Sequence, residues 1–110
     1  MNILLLREAL LIAKEYGIPT LGQFEVFITI SQADGITITD MAGCTRVDDP
    51  DHWMHISNMV AKLVRSDERG ESLAYRAEPI IGNVGPRPQK LRLTNKGFRL
   101  LAEINGIGFH

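Results

Sequence analysis

Residues 3–13 are almost continuously apolar, interrupted only by Arg7 and Glu8. The segment predicts a helix over residues 3–16, with Asn2 as its cap and Gly17, Ile18 and Pro19 ending it. At 100° per residue, Leu4 and Leu11 fall on the same stripe as Arg7, Glu8, Lys14 and Glu15, so the helix is apolar nearly all round. Two readings follow: a helix buried in a small core, or one whose Leu4 and Leu11 form a dimer interface with a second copy of the chain.

Thr20-Leu21-Gly22-Gln23 has the form of a capping box and opens a second helix, with Phe24, Phe27, Ile28 and Ser31 on one face and an end near Ala33 before the Asp34-Gly35 turn. Residues 36–38 alternate as a short strand would. A short third helix is expected from Thr39 or Asp40 to Cys44, with Met41 and Ala42 inward. Asp49-Pro50 then signals a helix start, Asp as cap and Pro at the first helical position. In the fourth helix, running to about Arg65, Ile56, Met59, Val60 and Leu63 recur at i, i+3, i+4 and i+7 and make a buried face. The opposite face carries Met54, Asn58, Ala61, Lys62 and Arg65, with His55 and Ser57 on its shoulders.

Beyond a charged turn at 66–72, residues 73–81 alternate loosely as a strand, residues 82–88 form a Gly- and Pro-rich loop tip, and residues 90–93 return as a second strand. There Leu91 and Leu93 point to one face, Lys90 and Arg92 to the other. Thr94 fits the N-cap of a last helix reaching about Asn105, with Phe98, Leu101 and Ala102 inward and Gly106 as its stop. The expected fold class is α+β, mainly α. Helix, helix, short strand, helix, helix, hairpin, helix is the order of a winged helix-turn-helix, with short flanking helices at both ends and a two- to three-stranded wing. In that arrangement the third helix braces the fourth, whose outer face enters the DNA major groove, while the hairpin tip reaches the minor groove.

Composition narrows this. At 110 residues and 45% hydrophobic, the chain makes one domain, residues 1–110, with one modest core. A single cysteine, Cys44, excludes an intrachain disulfide. No segment resembles a secretory signal, and the apolar opening is shorter than the roughly 20 residues of a membrane helix, so a cytoplasmic protein without a membrane partner is expected. The net charge of −1 argues against a generic nucleic-acid coat. Its distribution is polarised: residues 1–64 sum to −4 and residues 65–99 to +4.

Asn58 can pair with adenine and Lys62 with guanine or a phosphate; Ser57 and His55 are lesser candidates, and Arg65 suits the DNA backbone. Arg87 and Lys90 suit phosphates or the minor groove. For each, the plain alternative is a solvated surface. Cys44, Asp48, Asp49, Asp51, His52 and His55 carry metal-ligand chemistry, but no second cysteine stands at zinc-site spacing, and no metal or other cofactor is expected. A redox role for Cys44 needs an exposed, low-pKa thiolate, whereas its place after Met41-Ala42 suggests a buried thiol. Trp53 reads as a core or interface anchor. No nucleophile elbow, phosphate-binding Gly loop or H-E-x-x-H pattern is present, and no catalytic residues are assigned.

Arg87-x-x-x-Leu91-x-Leu93-Thr94-x-x-Gly97 resembles the wing and following helix of the MarR-type winged helix-turn-helix regulators. Residues 20–27 look like the opening of that family's first core helix, residues 37–42 like its bracing helix, and Ile56-Ser57-Asn58-Met59-Val60-Ala61-Lys62-Leu63 like its recognition helix. The resemblance implies a homodimeric transcription regulator that binds a pseudo-palindrome in double-stranded DNA, often with a small-molecule or redox inducer; the residues themselves identify no effector. The chain departs from the family in having Gly85 where a wing-tip Asp is usual, in three wing prolines (Pro79, Pro86, Pro88), and in abbreviated flanking helices. The rival reading is a protein–protein interaction module without sequence-specific DNA binding, using the first helix or Ile80, Ile81 and Val84 as its contact patch.

Overall fold

The computed structural model describes residues 3–65, 70–77 and 90–107. Asn2, Ile80, Ile81, Val84 and Arg87, together with the rest of the expected hairpin tip, lie outside the described residues. Among the described residues five helices and two strands follow in order: α1 (Ile3–Glu15), α2 (Leu21–Gln32), α3 (Ile38–Ala42), α4 (Pro50–Val64), β1 (Ala74–Ala77), β2 (Lys90–Leu93) and α5 (Asn95–Ile107). The fold is mainly α with a small antiparallel sheet.

Helix starts follow the caps. The Thr20 hydroxyl accepts the Gln23 N–H at 3.3 Å, Asp49 accepts the His52 N–H at 3.2 Å, and the Thr94 hydroxyl accepts the Gly97 N–H at 3.1 Å. α3 starts earlier than expected. Thr37 and Asp40 form a reciprocal capping box, Asp40 N–H to the Thr37 hydroxyl at 3.2 Å and Thr37 N–H to the Asp40 carboxylate at 3.3 Å. That box turns the chain into a helix at Ile38, so the expected strand over residues 36–38 shrinks to one bridge between Ile36 and Leu91. The bridge is anchored by Leu91 N–H to the Ile36 carbonyl (2.9 Å) and Gly35 N–H to the Leu91 carbonyl (3.0 Å).

α2 lies at the centre, with Gln23, Phe24, Val26, Phe27 and Ile30 all buried. It packs against α4, β2 and α1, while α1 also packs on α5. Val60 and Leu63 of α4, Leu91 and Leu93 of β2, Ala74 of β1 and Leu100 of α5 complete one core. α1 sinks only Ala9 and Ala13 fully into it. At its end the Tyr16 hydroxyl donates to the Glu103 carboxylate of α5 at 3.0 Å. Partial burial and then that carboxylate raise the Tyr16 pKa, which keeps the phenol a donor.

β1 and β2 pair with Ala74 opposite Leu93 and Ala77 opposite Lys90. Leu91 and Leu93 face the core while Lys90 and Arg92 face out, as their alternation predicts. The phase of α5 differs from the expectation: Phe98 is 55% exposed and Ala102 is exposed, whereas Gly97 and Leu100 are buried and Leu101 is partly so. The helix also runs through Gly106 to Ile107. Among the described residues, no helix is long and apolar enough to cross a membrane.

The cause of the α5 phase is a close approach of backbones. Leu73 N–H bonds to the Leu63 carbonyl at the end of α4 (3.1 Å), and the Leu73 carbonyl accepts the Thr94 N–H (3.1 Å). A Cβ on Gly97 would overlap that same Leu73 carbonyl and press on the Leu93 side chain. Gly→Ala within a helix usually stabilises by about 1 kcal/mol. Gly97→Ala is instead expected to destabilise the protein by about 1–3 kcal/mol through overpacking, read as a lowered urea midpoint. An unchanged or raised midpoint would mean that the two backbones do not meet there.

Candidate nucleic-acid interface

α3 and α4 are joined by a turn whose geometry the sequence supplies locally. Gly43 leaves α3 in the left-handed region (φ 70°), which glycine enters without a Cβ penalty. Thr45 and Asp48 then bond reciprocally, Asp48 N–H to the Thr45 hydroxyl at 3.1 Å and Thr45 N–H to the Asp48 carboxylate at 3.4 Å. Asp49 and Pro50 start α4. Across the turn, the half-buried Trp53 indole N–H donates to the Thr39 hydroxyl at 3.2 Å, and the Arg46 guanidinium stands 5.8 Å from the Trp53 ring centroid. Trp53 therefore braces α3 against α4, a role its position alone left open.

With one side of α4 held by Val60 and Leu63, a line of exposed residues runs along the other: Asp51, Met54, His55, Asn58, Ala61, Lys62, and then Arg65 just past its end. His55 belongs to this line, while Ser57 is half-buried at its margin. Lys90 is exposed on the outer face of the two-stranded ribbon beside Arg92, whose guanidinium lies 4.0 Å from the Asp34 carboxylate. Arg87 lies outside the described residues.

Electrostatics along α4 are graded. The end formed by the turn and first helical turn carries exposed Asp48, Asp49 and Asp51, with Asp40 on α3, against Arg46. The other end carries Lys62 and Arg65. There the structure adds a residue that sequence reasoning missed: Lys96 of α5 joins Lys62 and Arg65 around a cleft of about 170 Å³ that Tyr16, Glu71 and Ser72 also line. Glu71 pairs with Arg99 at 3.7 Å. Lys96 sits within the Thr94-initiated helix, but some thirty residues separate it from Lys62, and the Leu63–Leu73 and Leu73–Thr94 hydrogen bonds, with the shared core, bring the two ends together. An anion therefore meets favourable potential at the C-terminal half of α4 and repulsion at the turn.

Cys44, Asp48, Asp49, Asp51, His52 and His55 do not converge: among the described residues, no three His, Cys, Asp or Glu side chains are gathered as a metal would need. Cys44 is partly buried, with its thiol 3.9 Å from the Asp49 carbonyl. Desolvation, then the Asp49 and Asp48 charges, push its pKa up, so the thiolate is scarcer at neutral pH than in a free cysteine. Labelling by a neutral thiol reagent at pH 7–8 is expected to be slower than for a cysteine in an unstructured peptide, and added salt, by screening the two aspartates, should speed it. A rate above the peptide's would instead make Cys44 an activated thiol.

Compared with known protein families, with characterised proteins and with solved structures, the chain matches none at a significant level.

Proposed function

We propose that the protein is a cytoplasmic DNA-binding transcriptional regulator of winged helix-turn-helix type, similar to the MarR-type regulators, with α4 as its recognition helix. The observation that carries this reading is the exposed line of Asn58, Lys62 and Arg65 on a helix whose other side is fixed by the core and by the Trp53–Thr39 bond. A rigid helix with a polar outward face suits the major groove, about 12 Å wide. Asn58 offers the amide that pairs with adenine, and Lys62 a donor for guanine or a phosphate. Arg65 and Lys96 suit the adjacent backbone, and Lys90 a phosphate beside the ribbon. In this reading Arg87 enters the minor groove, and Ser57 is at most a marginal contact.

The charge gradient adds a condition the sequence pattern lacked. Many recognition helices lead with their first turn, but here that turn bears Asp49 and Asp51, so contact centres on residues 58–65. The same acidic turn, with Val47 90% exposed at its apex, favours the second reading, a module that docks a basic protein partner through the turn.

Selection of sites from a random duplex pool, followed by anisotropy titration across a salt series, separates the two. Under the DNA reading a site is enriched, Lys62→Ala weakens binding to all duplexes and lowers the salt slope by about one, and Asn58→Ala relaxes preference at one base position by about 1–3 kcal/mol. Absence of enrichment, with weak binding indifferent to Lys62, would overturn the DNA reading and leave the interaction module.

A further inference from the structure

The rotation that turns Gly97 inward leaves Phe98 on the surface, and the outer face of the ribbon sets a second ring beside it. Phe98 (55% exposed) and Tyr75 (43%) line one cleft of about 260 Å³ where the ribbon meets the end of α2 and the start of α5. Among the described residues these are the only exposed Phe, Tyr or Trp side chains, and both stand at this cleft. Neither ring is needed to close the core, and exposed aromatics gathered beside polar groups mark a recognition surface. Buried Ile30 and Leu93 supply the apolar floor. At the rim Arg92, directly opposite Tyr75 in the strand register, lies 4.0 Å from the Asp34 carboxylate. Their side chains are 46% and 70% exposed, so water screens the pair and a ligand can displace it at little cost. Arg76 and Lys90 are exposed on the same two strands, and neither strand carries a carboxylate.

We infer that this cleft is a stacking seat for an unpaired base of single-stranded nucleic acid. It is smaller than the roughly 300–1,000 Å³ that enclose a drug-sized ligand, and suits one planar group. Every base offers a π-face to Tyr75 and Phe98, an attraction that tolerates any sequence. Base edges carry acceptors and N–H donors side by side; Arg92 donates to the first and Asp34 accepts from the second. Lys90 and Arg92 stand two residues apart on one face, about 7 Å by the rise of a strand, and with Arg76 they meet the phosphates on either side of the seated base. Rings alone would suit an apolar peptide equally well, but a ribbon charged with one sign favours a polyanion. α4 contributes nothing to this lining, so the seat lies on a different face from the duplex reading and does not depend on it.

Titration of the full chain with labelled oligothymidylate and oligouridylate of about ten nucleotides is expected to show salt-dependent binding, the tighter strand naming DNA or RNA as the source of the base. An abasic strand of equal length, with the same phosphates and no bases, should bind at least tenfold more weakly. Tyr75→Leu with Phe98→Leu keeps apolar bulk at the cleft and should lose at least tenfold in affinity at an unchanged urea midpoint, whereas Tyr75→Phe should bind as wild type does. Photo-cross-linking of a strand bearing 5-iodouracil should label Tyr75 or Phe98. Failure of both strands to bind overturns the inference. So does an abasic strand held as tightly as the others, a double leucine variant that binds like wild type, or cross-links confined to α4. The probes are single-stranded and the variants lie off α4, so failure here and failure of the duplex reading are distinguishable.

Discussion

The backbone of Leu73 is the junction on which the described fold depends. Its N–H is held by the last turn of α4, its carbonyl takes the N–H of Thr94 at the head of α5, and Gly97 comes close enough to that carbonyl to exclude a side chain. The Thr94 hydroxyl adds a bond to the neighbouring Ser72 carbonyl. Two helices distant in sequence, α4 and α5, thus meet at the backbone of one buried residue, and buried N–H and C=O groups are costly to leave unpaired. The fixed phase of α5 determines that Gly97 and Leu100 face inward and Phe98 outward. It also brings Lys96 to Lys62 and Arg65.

Much of the fold was legible because it is written locally. Caps are decided within four residues, and Thr20, Asp49-Pro50 and Thr94 each begin a helix where a hydroxyl or carboxylate can satisfy an open N–H. The alternation of Lys90 to Leu93 likewise needed nothing beyond the strand itself. Errors arose where two local signals competed or a distant one ruled. Residues 36–38 suit a strand by alternation, but Thr37 with Asp40 makes a better cap, and the cap prevails. In α5, apolar content pointed Phe98 inward, yet the Leu73 carbonyl sets the rotation. The line from Asn58 to Arg65 was readable from helical period, whereas the cleft shared with Lys96 belongs to tertiary structure and leaves no trace in spacing.

The charges along α4 serve folding and surface potential together. Aspartates at its start and Lys62 near its end each complement the helix dipole, and would be favourable on any isolated helix. Their outward projection turns a stabilising device into a directional field, with one end of the helix repelling anions and the other receiving them. α1 uses charge differently, separating its signs across the helix rather than along it. The two helices therefore present distinct electrostatic surfaces although the chain as a whole is nearly neutral.

The single bridge between Ile36 and Leu91 has a consequence for solubility. By engaging β2 on the side away from β1, it occupies part of an edge that would otherwise be open to strands from other molecules. Among the described residues the remaining open edge is β1, four residues long and carrying exposed Tyr75 and Arg76. A cation on an edge strand disfavours pairing with strands of other molecules, so Arg76 acts with the Ile36 bridge to discourage intermolecular sheet growth.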